Sequence, residues 1–242
     1  LEGGDADAAR FTARTRKSNY TQIFSATVEV SGSELAAKQI GVKDELDYQK
    51  NQRLRELLRD LESSVINGIA PSATPQGSST VRRSMHGIMP FITTNVFEVG
   101  EDDFPSDTTL TEAQLNLALR SVWQNSAGQV DLIVVGGSEK RAINQFVATN
   151  RRFTPISDTY RDAVSVYESD FGVCRVVLSR AVPQGNVLLL DSSRVEVLPL
   201  THRSFHFKPL ASTGDRESGQ VIGEYTLEFR NEAAHGVIRG FA

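Results

Sequence analysis

Cysteine is nearly absent from the sequence, which contains only Cys174 among 242 residues. One thiol cannot form an internal disulfide, so a disulfide-stapled fold is excluded. The sequence also contains no run of eighteen apolar residues, no collagen repeat and no signal-peptide pattern, so we expect no membrane-spanning helix and no membrane partner. Because Cys174 lies in the strand-like segment GVCRVVLS, we predict a small buried side chain rather than a catalytic thiol.

Positive charge is not in excess either. The 26 basic and 30 acidic residues give a net charge of -4, whereas proteins that grip nucleic acid over a broad surface usually have a basic excess. The composition therefore disfavours a dedicated DNA-binding module. Local basic clusters are interpreted first as solvated loops: Arg14/Arg16/Lys17, Arg82/Arg83 and Arg151/Arg152.

Catalytic motifs are missing as well. The sequence contains no G-x-S-x-G, no H-E-x-x-H and neither glycine-rich phosphate-binding motif, and the Gly136-Gly137 turn is interpreted as a plain strand-to-helix connection. His202 and His206, four residues apart, are the only candidate metal pair, and surface or packing roles are favoured for both. We predict no catalytic, cofactor-binding or metal-binding residue. A hydrolase or metal enzyme, with these histidines as the first site to probe, is kept as an alternative.

Among the features that are present, an alternating segment predicts an early β-strand. In NYTQIFSATVEVSG, residues 19 to 32, the even positions are mainly apolar and the odd positions mainly polar. This matches the side-chain period of two in a strand. The residues that follow predict a short helix that is capped by Ser33 and ended by Gly41.

The strongest helix signal runs from about Asp44 to Asn67 and is stopped by Gly68 and Pro71. Acidic residues occupy its first turn, where they suit the helix dipole. A buried stripe is predicted at helical spacing: Leu46, Leu54, Leu57, Leu58, Leu61 and Val65. A second helix begins with a capping box and buries four residues; the box is Thr111 and Gln114, and the buried residues are Leu115, Ala118, Leu119 and Val122.

The remaining segments predict loops, strands and one further helix. Residues 70 to 80 predict a linker, and the segment after them predicts a strand interrupted by Pro90. A hairpin turning at Asp170 and Gly172 begins a β-rich C-terminal part, so the fold class is α+β with a sheet built from distant segments. DLIVVGGSEKRAINQFVA predicts a strand and then a helix that buries Ala142, Ile143, Phe146 and Val147.

Four blocks of the sequence stand in the order of a known family. They are ARTRKSNYTQIFSATVEVSGSELAAKQIGVKDELDYQKNQRLRELLRDLE, DLIVVGGSEKRAINQF, VYESDFGVCRVVLSRAVP and STGDRESGQVIGEYTLEFRNEAAHGVIRGF. These blocks resemble the major capsid proteins of tailed bacteriophages with the Hong Kong 97 type fold, and the resemblance covers nearly the whole chain.

The resemblance implies a division of the chain. Residues 1–32 would be the returning half and base of the E-loop, an arm that reaches over a neighbouring subunit, and residues 33–84 a peripheral domain with a long spine helix. Residues 85–190 would be mostly the axial domain, and residues 191–242 return strands of the peripheral domain. Leu1 does not look like a translation start, and the family's N-terminal arm and outgoing E-loop strand are missing before it. Swapped-arm contacts, cleavage and cross-linking are therefore assigned to no residue.

The function implied by the resemblance is structural. Copies are expected to form hexamers and pentamers of an icosahedral shell around double-stranded DNA, which is held without sequence-specific binding. Candidate partners are decoration, portal and scaffold proteins; the shell is expected in the virion, assembled in the host cytoplasm. An encapsulin-type nanocompartment, which stores a cargo enzyme, is the alternative with the same fold. The proposed intersubunit contacts follow an acidic stretch and are Arg10, Arg14, Arg16 and Lys17.

Overall fold

The computed structural model describes residues 10–11, 15–37, 41–42, 44–101, 104–126, 128–150, 165–211 and 214–242. The helices in these ranges are α1 (Gly32–Ala36), α2 (Glu45–Asn67), α3 (Ile88–Phe91), α4 (Glu112–Asn125) and α5 (Gly137–Asn150). The strands are β1 (Gln22–Ser31), β2 (Val96–Glu98), β3 (Leu132–Val135), β4 (Ser165–Ser169), β5 (Gly172–Leu178), β6 (Asn186–Leu190), β7 (Val195–Pro199), β8 (His206–Pro209), β9 (Arg216–Phe229) and β10 (Gly236–Arg239).

Strand β9 is the centre of an antiparallel four-stranded sheet. Along one edge it pairs with β1, in a register that runs from Gln22 opposite Tyr225 to Ser31 opposite Arg216. Along the other edge it pairs with β7 and β8. The predicted early strand is confirmed, and the buried side chains of its even positions are Phe24, Val28 and Val30.

Glycines in β9 let aromatic rings pack closely on this sheet. A Cβ atom at Gly219 would lie 2.0 Å from the ring of Phe207, and one at Gly223 would lie 2.6 Å from the ring of Phe205. The Nζ atom of Lys50, on α2, lies 4.3 Å from the centre of the Phe207 ring. These contacts place the Phe207 ring of β8 on the face of the sheet that α2 covers.

The second sheet has six strands in the order β2-β10-β6-β3-β5-β4. Strand β3 pairs in parallel with β5 and antiparallel with β6, and the last strand, β10, pairs with β6 and β2. The predicted hairpin is confirmed as β4 and β5, and Gly172 at its turn has a φ of 140°, which favours glycine.

Helix α2 confirms the strongest sequence signal. Asp44 is its N-cap, where the side chain accepts a hydrogen bond from the backbone N–H of Asp47, and Gly68 is its C-cap. Leu57 is buried, and the other partly buried stripe residues are Leu46, Leu54, Leu61 and Val65. The prediction for Leu58 was wrong, because its side chain is 48% exposed. At about 100° per residue, Leu58 falls at the edge of the stripe, beyond the elements that cover the helix.

The other helices show which local signals are reliable. The capping box of Thr111 and Gln114 is confirmed at α4, as is the predicted buried stripe. The cap of α1 is Ser31 rather than the predicted Ser33. The strand predicted around Pro90 is instead α3, because proline is tolerated in the first turn of a helix, and β2 follows separately. In α5, Ala142 and Ile143 are buried and Phe146 is partly buried, while the Val147 side chain lies outside the described residues.

The six-stranded sheet separates two hydrophobic cores. Helices α4 and α5 pack on one face, which contains Ile133 and Leu189. Helices α2 and α3 and the four-stranded sheet pack on the other face, which contains Val134 and Leu188. Neighbouring residues of β3 and β6 thus enter different cores, as the period of two in a strand requires.

Three chain connections meet where the two sheets join. The carboxylate of Glu232 accepts hydrogen bonds from the backbone N–H groups of Thr93 and Thr94, at 3.0 and 3.2 Å. The backbone N–H of Asp191 donates to Nδ1 of His235 at 3.2 Å, and Asn95 donates to the carbonyl of His235 at 2.9 Å. These side chains link the connection from α3 to β2, the connection from β6 to β7 and the connection from β9 to β10.

We expect the unassembled subunit to lose stability through His235 as the pH falls below about 6.5. The His235 ring is fully buried, its Nδ1 accepts a hydrogen bond, and burial lowers its pKa from the usual 6.5. The unfolded chain therefore binds more protons below that pH, and this contribution costs at most about 1.4 kcal/mol per pH unit. Urea unfolding across this range measures the slope.

The matched variants are His235→Asn and the exposed His206→Asn. Burial also lowers the pKa of His86, so His235→Asn is expected to remove only part of the pH dependence. His206→Asn, at an exposed position, is the control for the substitution itself. Equal slopes in the wild type and His235→Asn would contradict this assignment.

Candidate assembly surfaces

Asn19 fixes the point at which the N-terminal segment joins the body. Its Nδ2 donates to the carbonyls of His86 and Leu227, at 2.9 and 3.0 Å. Its Oδ1 accepts from the backbone N–H groups of His86 and Tyr20, each at 2.8 Å. The loop before α3 and strand β9 therefore hold the base of this segment on both sides.

An open groove with a volume of ≈ 840 Å³ lies beside this anchor. One wall is formed by residues 15–19, and the rest by Phe91, Leu198 and residues 226–232. Of the predicted contact residues, Arg16 and Lys17 line the groove and are exposed, Arg10 is exposed, and Arg14 lies outside the described residues. The structure thus brings Arg16 and Lys17 to one surface.

The opposite wall of the groove contains charges of both signs. Arg230 donates a hydrogen bond to Glu228 at 2.6 Å, and this bond lowers the pKa of Glu228. Burial raises the pKa of Glu232, but hydrogen bonds from Thr94 and from nearby backbone N–H groups outweigh it, so the pKa lies below the usual value. Both carboxylates are ionised at neutral pH, which gives the groove acidic as well as basic groups.

Glu224, in β9, is a buried carboxylate with two arginine partners. Its side chain is 5% exposed, and Arg83 Nη2 and Arg203 Nε lie 2.5 and 2.7 Å from its oxygens. Thr21 Oγ1 also donates to it, at 2.6 Å. One carboxylate therefore joins the residue before β1, the loop before α3 and the turn between β7 and β8. This Glu224 cluster stabilises the surface from which the N-terminal segment leaves.

A second concavity is apolar. It has a volume of ≈ 240 Å³ and lies between α2, α3 and the six-stranded sheet. We name it the α2 cleft. Its polar members are Glu62 and Ser192; Glu62 accepts a hydrogen bond from Ser179 Oγ at 2.5 Å. The apolar lining consists of Val65, Ile66, Ile88, Leu132, Val134, Leu188, Leu190 and Val195.

Several large apolar side chains face solvent. The most exposed is Phe11, at 91%. Isolated exposed apolar residues are common, but an aromatic anchor can dominate an interface when a partner buries it. Others that are more than half exposed are Ile69, Trp123, Val173 and Leu178.

The histidine pair and the cysteine do not form a reactive centre in the described part of the chain. His202 lies in a turn with a φ of 60°, and His206 begins β8. The described residues contain no group of three or more His, Cys, Asp or Glu residues suited to a metal ion. Cys174 is 1% exposed, and burial raises its pKa to about 12, which confirms the predicted buried role.

A membrane-spanning helix is not found in the described ranges, since none of their helices combines the necessary length and apolar character.

Asn19, the Glu224 cluster and the α2 cleft were not predicted from the sequence. Asn19 stands at the start of the alternating segment, and this position is its only sequence signal. Arg83 lies 141 residues upstream of Glu224, and Arg203 lies in a different turn of the chain, so no local pattern relates all three. The cleft depends on the packing of separate elements.

Comparisons with known proteins agree with this fold. A family model described as SU10 major capsid protein matches residues 1–242. No curated protein matches the sequence significantly.

Solved structures with low sequence identity are similar over most of the chain. The holo-SrpI encapsulin complex from Synechococcus elongatus PCC 7942 has a TM-score of 0.66 at 14% identity, over 91% of this chain and 74% of that chain. The satellite phage P4 procapsid has a TM-score of 0.59 at 14% identity, over 98% and 76%. A Mycobacterium phage Bobi structure has a TM-score of 0.56 at 18% identity, over 90% and 71%. These likenesses concern the fold.

Proposed function

Because the chain belongs to the SU10 major capsid protein family, we propose that its copies form hexamers and pentamers of a shell around double-stranded phage DNA. The chain has the Hong Kong 97 type fold and is a structural shell protein of a virion. The family match over residues 1–242 is the observation that carries the proposal. A net charge of -4 suits a container that holds DNA without sequence-specific contacts.

The peripheral and axial domains are proposed to correspond to the two sheets. The peripheral domain comprises the four-stranded sheet and α2 as the spine helix. The axial domain comprises the six-stranded sheet with α4 and α5. Residues 85–190 supply most of the axial domain, and β10 joins its sheet from the C-terminal segment.

Residues 1–32 are proposed as the returning half of the E-loop and its base. Its base is β1, which is held in the peripheral sheet, and Asn19 marks the point where the arm leaves the body. An arm that is ordered on a neighbour buries surface there, at an entropic cost paid on assembly. The charges of the arm would then determine the register in which it binds the neighbour more than the strength of binding, as charged contacts at the rim of an interface do.

Reversing the charges of Arg16 and Lys17 tests this role. In Arg16→Glu/Lys17→Glu, we expect the protein concentration needed for assembly to rise roughly 2- to 10-fold and to respond less to salt, because exposed ion pairs are weak and screened. Light scattering at several salt concentrations measures both effects. Arg120→Glu/Lys208→Glu, at two other exposed positions, is the control with the same change in net charge. Identical assembly of the first variant and the wild type would remove Arg16 and Lys17 from the interface.

An encapsulin-type compartment is the second candidate, favoured by the TM-score of 0.66 to an encapsulin. The two functions differ in content. Shells purified from the producing cells would contain a co-purifying enzyme if the chain forms an encapsulin, and nuclease-protected DNA if it forms a phage head.

Portal, scaffold and decoration proteins are proposed partners, and assembly is proposed to take place in the host cytoplasm. A closed shell that is filled with DNA needs an entry point, which is the task of a portal protein. It also needs a means to set its size, which is the task of a scaffold protein. We infer no catalytic role. The burial of Cys174 and the placement of His202 and His206 on different elements support this inference.

A further inference from the structure

We propose that Phe11 of one copy inserts into the α2 cleft of a neighbouring copy, with Arg10 beside Glu62 at the rim. The proposal rests on the proposed function, since it requires copies that assemble. It names the residues on both sides of a contact between the N-terminal segment and its neighbour.

The α2 cleft has the size and lining for one aromatic ring. Its volume is ≈ 240 Å³, and an apolar cavity of about 150 Å³ is enough to bind benzene. Apart from Glu62 and Ser192, every residue that lines it is aliphatic. An aromatic side chain would therefore lose contact with water there without leaving a polar group unpaired.

The exposure of Leu58 extends the apolar surface beyond the cleft. Leu58 is one turn before Glu62 on α2, and residues four apart lie on the same side of a helix. The Leu58 side chain is 48% exposed. It lies on the same side of α2 as Glu62 and Val65, which line the cleft. One exposed apolar side chain thus lies on the side of α2 that lines the cleft, which favours a chain segment that lies along α2 and places one side chain in the cavity.

Phe11 fits this cavity from the other side of the contact. It is 91% exposed, and within residues 1–18 the only other large apolar residue is Leu1. The segment around it is polar and basic, so Phe11 is the group on which a hydrophobic contact of this segment depends. Buried aromatic side chains that are surrounded by polar contacts are typical interface hot spots.

The charges around the two groups are complementary. Glu62 stands at the cleft, while Arg10 precedes Phe11 and Arg16 and Lys17 follow it. A basic segment is therefore attracted to this rim, and the opposite charges favour one orientation. The occupant of the cleft is a second copy of this chain. Identical subunits close a ring through head-to-tail contacts, in which a different surface of each subunit takes part on each side.

Replacing Phe11 measures the contribution of the ring. In Phe11→Ala, we expect the protein concentration needed for assembly to rise roughly 10- to 100-fold, since burial of one Phe side chain is lost in each contact. Phe11→Leu keeps an apolar side chain and is expected to stay within about 10-fold of the wild type. Phe11 is exposed in the subunit, so the thermal unfolding of unassembled subunits is expected to be equal in all three proteins. Equal assembly of Phe11→Ala and the wild type would overturn the proposal.

Cysteine pairing then identifies the receiving site. A Phe11→Cys protein and a Val65→Cys protein are mixed, assembled and oxidised, and disulfide-linked dimers are expected. Native Cys174 is 1% exposed and does not compete. The control partner is Asp60→Cys, an exposed position on the opposite side of α2. Equal dimer yields with both partners would contradict docking in the cleft. A third protein carries both Phe11→Cys and Val65→Cys. If its disulfide forms within one chain and none forms between chains, Phe11 fills the cleft of its own subunit, which would also overturn the proposal.

The outcomes separate this inference from the proposed function. If the wild type forms shells and Phe11→Ala forms them equally well, the inference fails and the shell function stands. If the wild type forms no shell under any condition, the proposed function is contradicted, and the inference fails with it because it requires copies that assemble.

Discussion

Leu57→Asp is expected to prevent accumulation of the folded subunit. Leu57 is 4% exposed, on the face of α2 that packs in the core shared with the four-stranded sheet. The substitution removes a buried side chain, which costs about 2–5 kcal/mol, and places a carboxylate in an apolar site, which costs several more. The sum approaches the whole stability of about 5–15 kcal/mol of a typical domain. Circular dichroism and the soluble yield of the expressed protein measure the outcome.

The adjacent residue supplies the control. Leu58→Asp introduces the same charge at a side chain that is 48% exposed, so the unfolding free energy is expected to change by about 0.5 kcal/mol or less. If Leu58 borders the docking surface proposed for Phe11, this variant folds but assembles less well. A soluble, folded Leu57→Asp protein would contradict the packing of α2.

Removal of both arginines around Glu224 is expected to be the second most damaging change. In Arg83→Met/Arg203→Met, a carboxylate that is 5% exposed loses both cationic partners. Breaking a buried ion pair in this way typically costs about 3–5 kcal/mol. Glu224→Gln in the wild type is expected to cost less, about 1–3 kcal/mol, because both arginine side chains reach water. Urea unfolding of the unassembled subunits measures each value.

The triple variant provides the decisive comparison for this cluster. Adding Glu224→Gln to Arg83→Met/Arg203→Met removes the stranded charge, and Thr21 can still donate to the amide oxygen. We therefore expect most of the lost stability to return. Additive losses in the triple variant would show that the carboxylate is not the source of the cost and would contradict the cluster as described.

Local signals in the sequence were sufficient for the main helices and the hairpin. The caps of α2 at Asp44 and Gly68 and the capping box of α4 depend on hydrogen bonds within a few residues, which the sequence order itself provides. The Asp170–Gly172 turn is local in the same way. These elements therefore appear where the sequence predicts them.

Predictions that depended on packing were less accurate. Helical spacing alone assigned Leu58 to the buried stripe, but its burial depends on how far other elements cover α2. Ser31 and Ser33 are chemically equivalent caps, and the end of β1 selects the first. Pro90 fits a first helical turn as well as a strand edge, so its identity did not distinguish them.

The candidate surfaces are mostly invisible in the sequence because they form between distant segments. β1, near the start of the chain, pairs with β9, near its end, and Glu224 of β9 contacts Arg83 from a third segment. Arg16 and Lys17 were proposed from the acidic-then-basic order of the N-terminal segment, and the structure adds that they line one groove. Their contact with a neighbouring subunit stays a prediction.

Electron microscopy of the purified native-length protein, with any segment upstream of Leu1 present, tests the central claim most directly. We expect closed icosahedral shells tens of nanometres across, or rings of five and six copies, at protein concentrations and salt conditions that permit assembly. The same preparation with Leu57→Asp should show neither. Only monomers or dimers of the wild-type protein, across a series of salt and pH conditions, would contradict the assignment of this chain as a self-assembling shell protein.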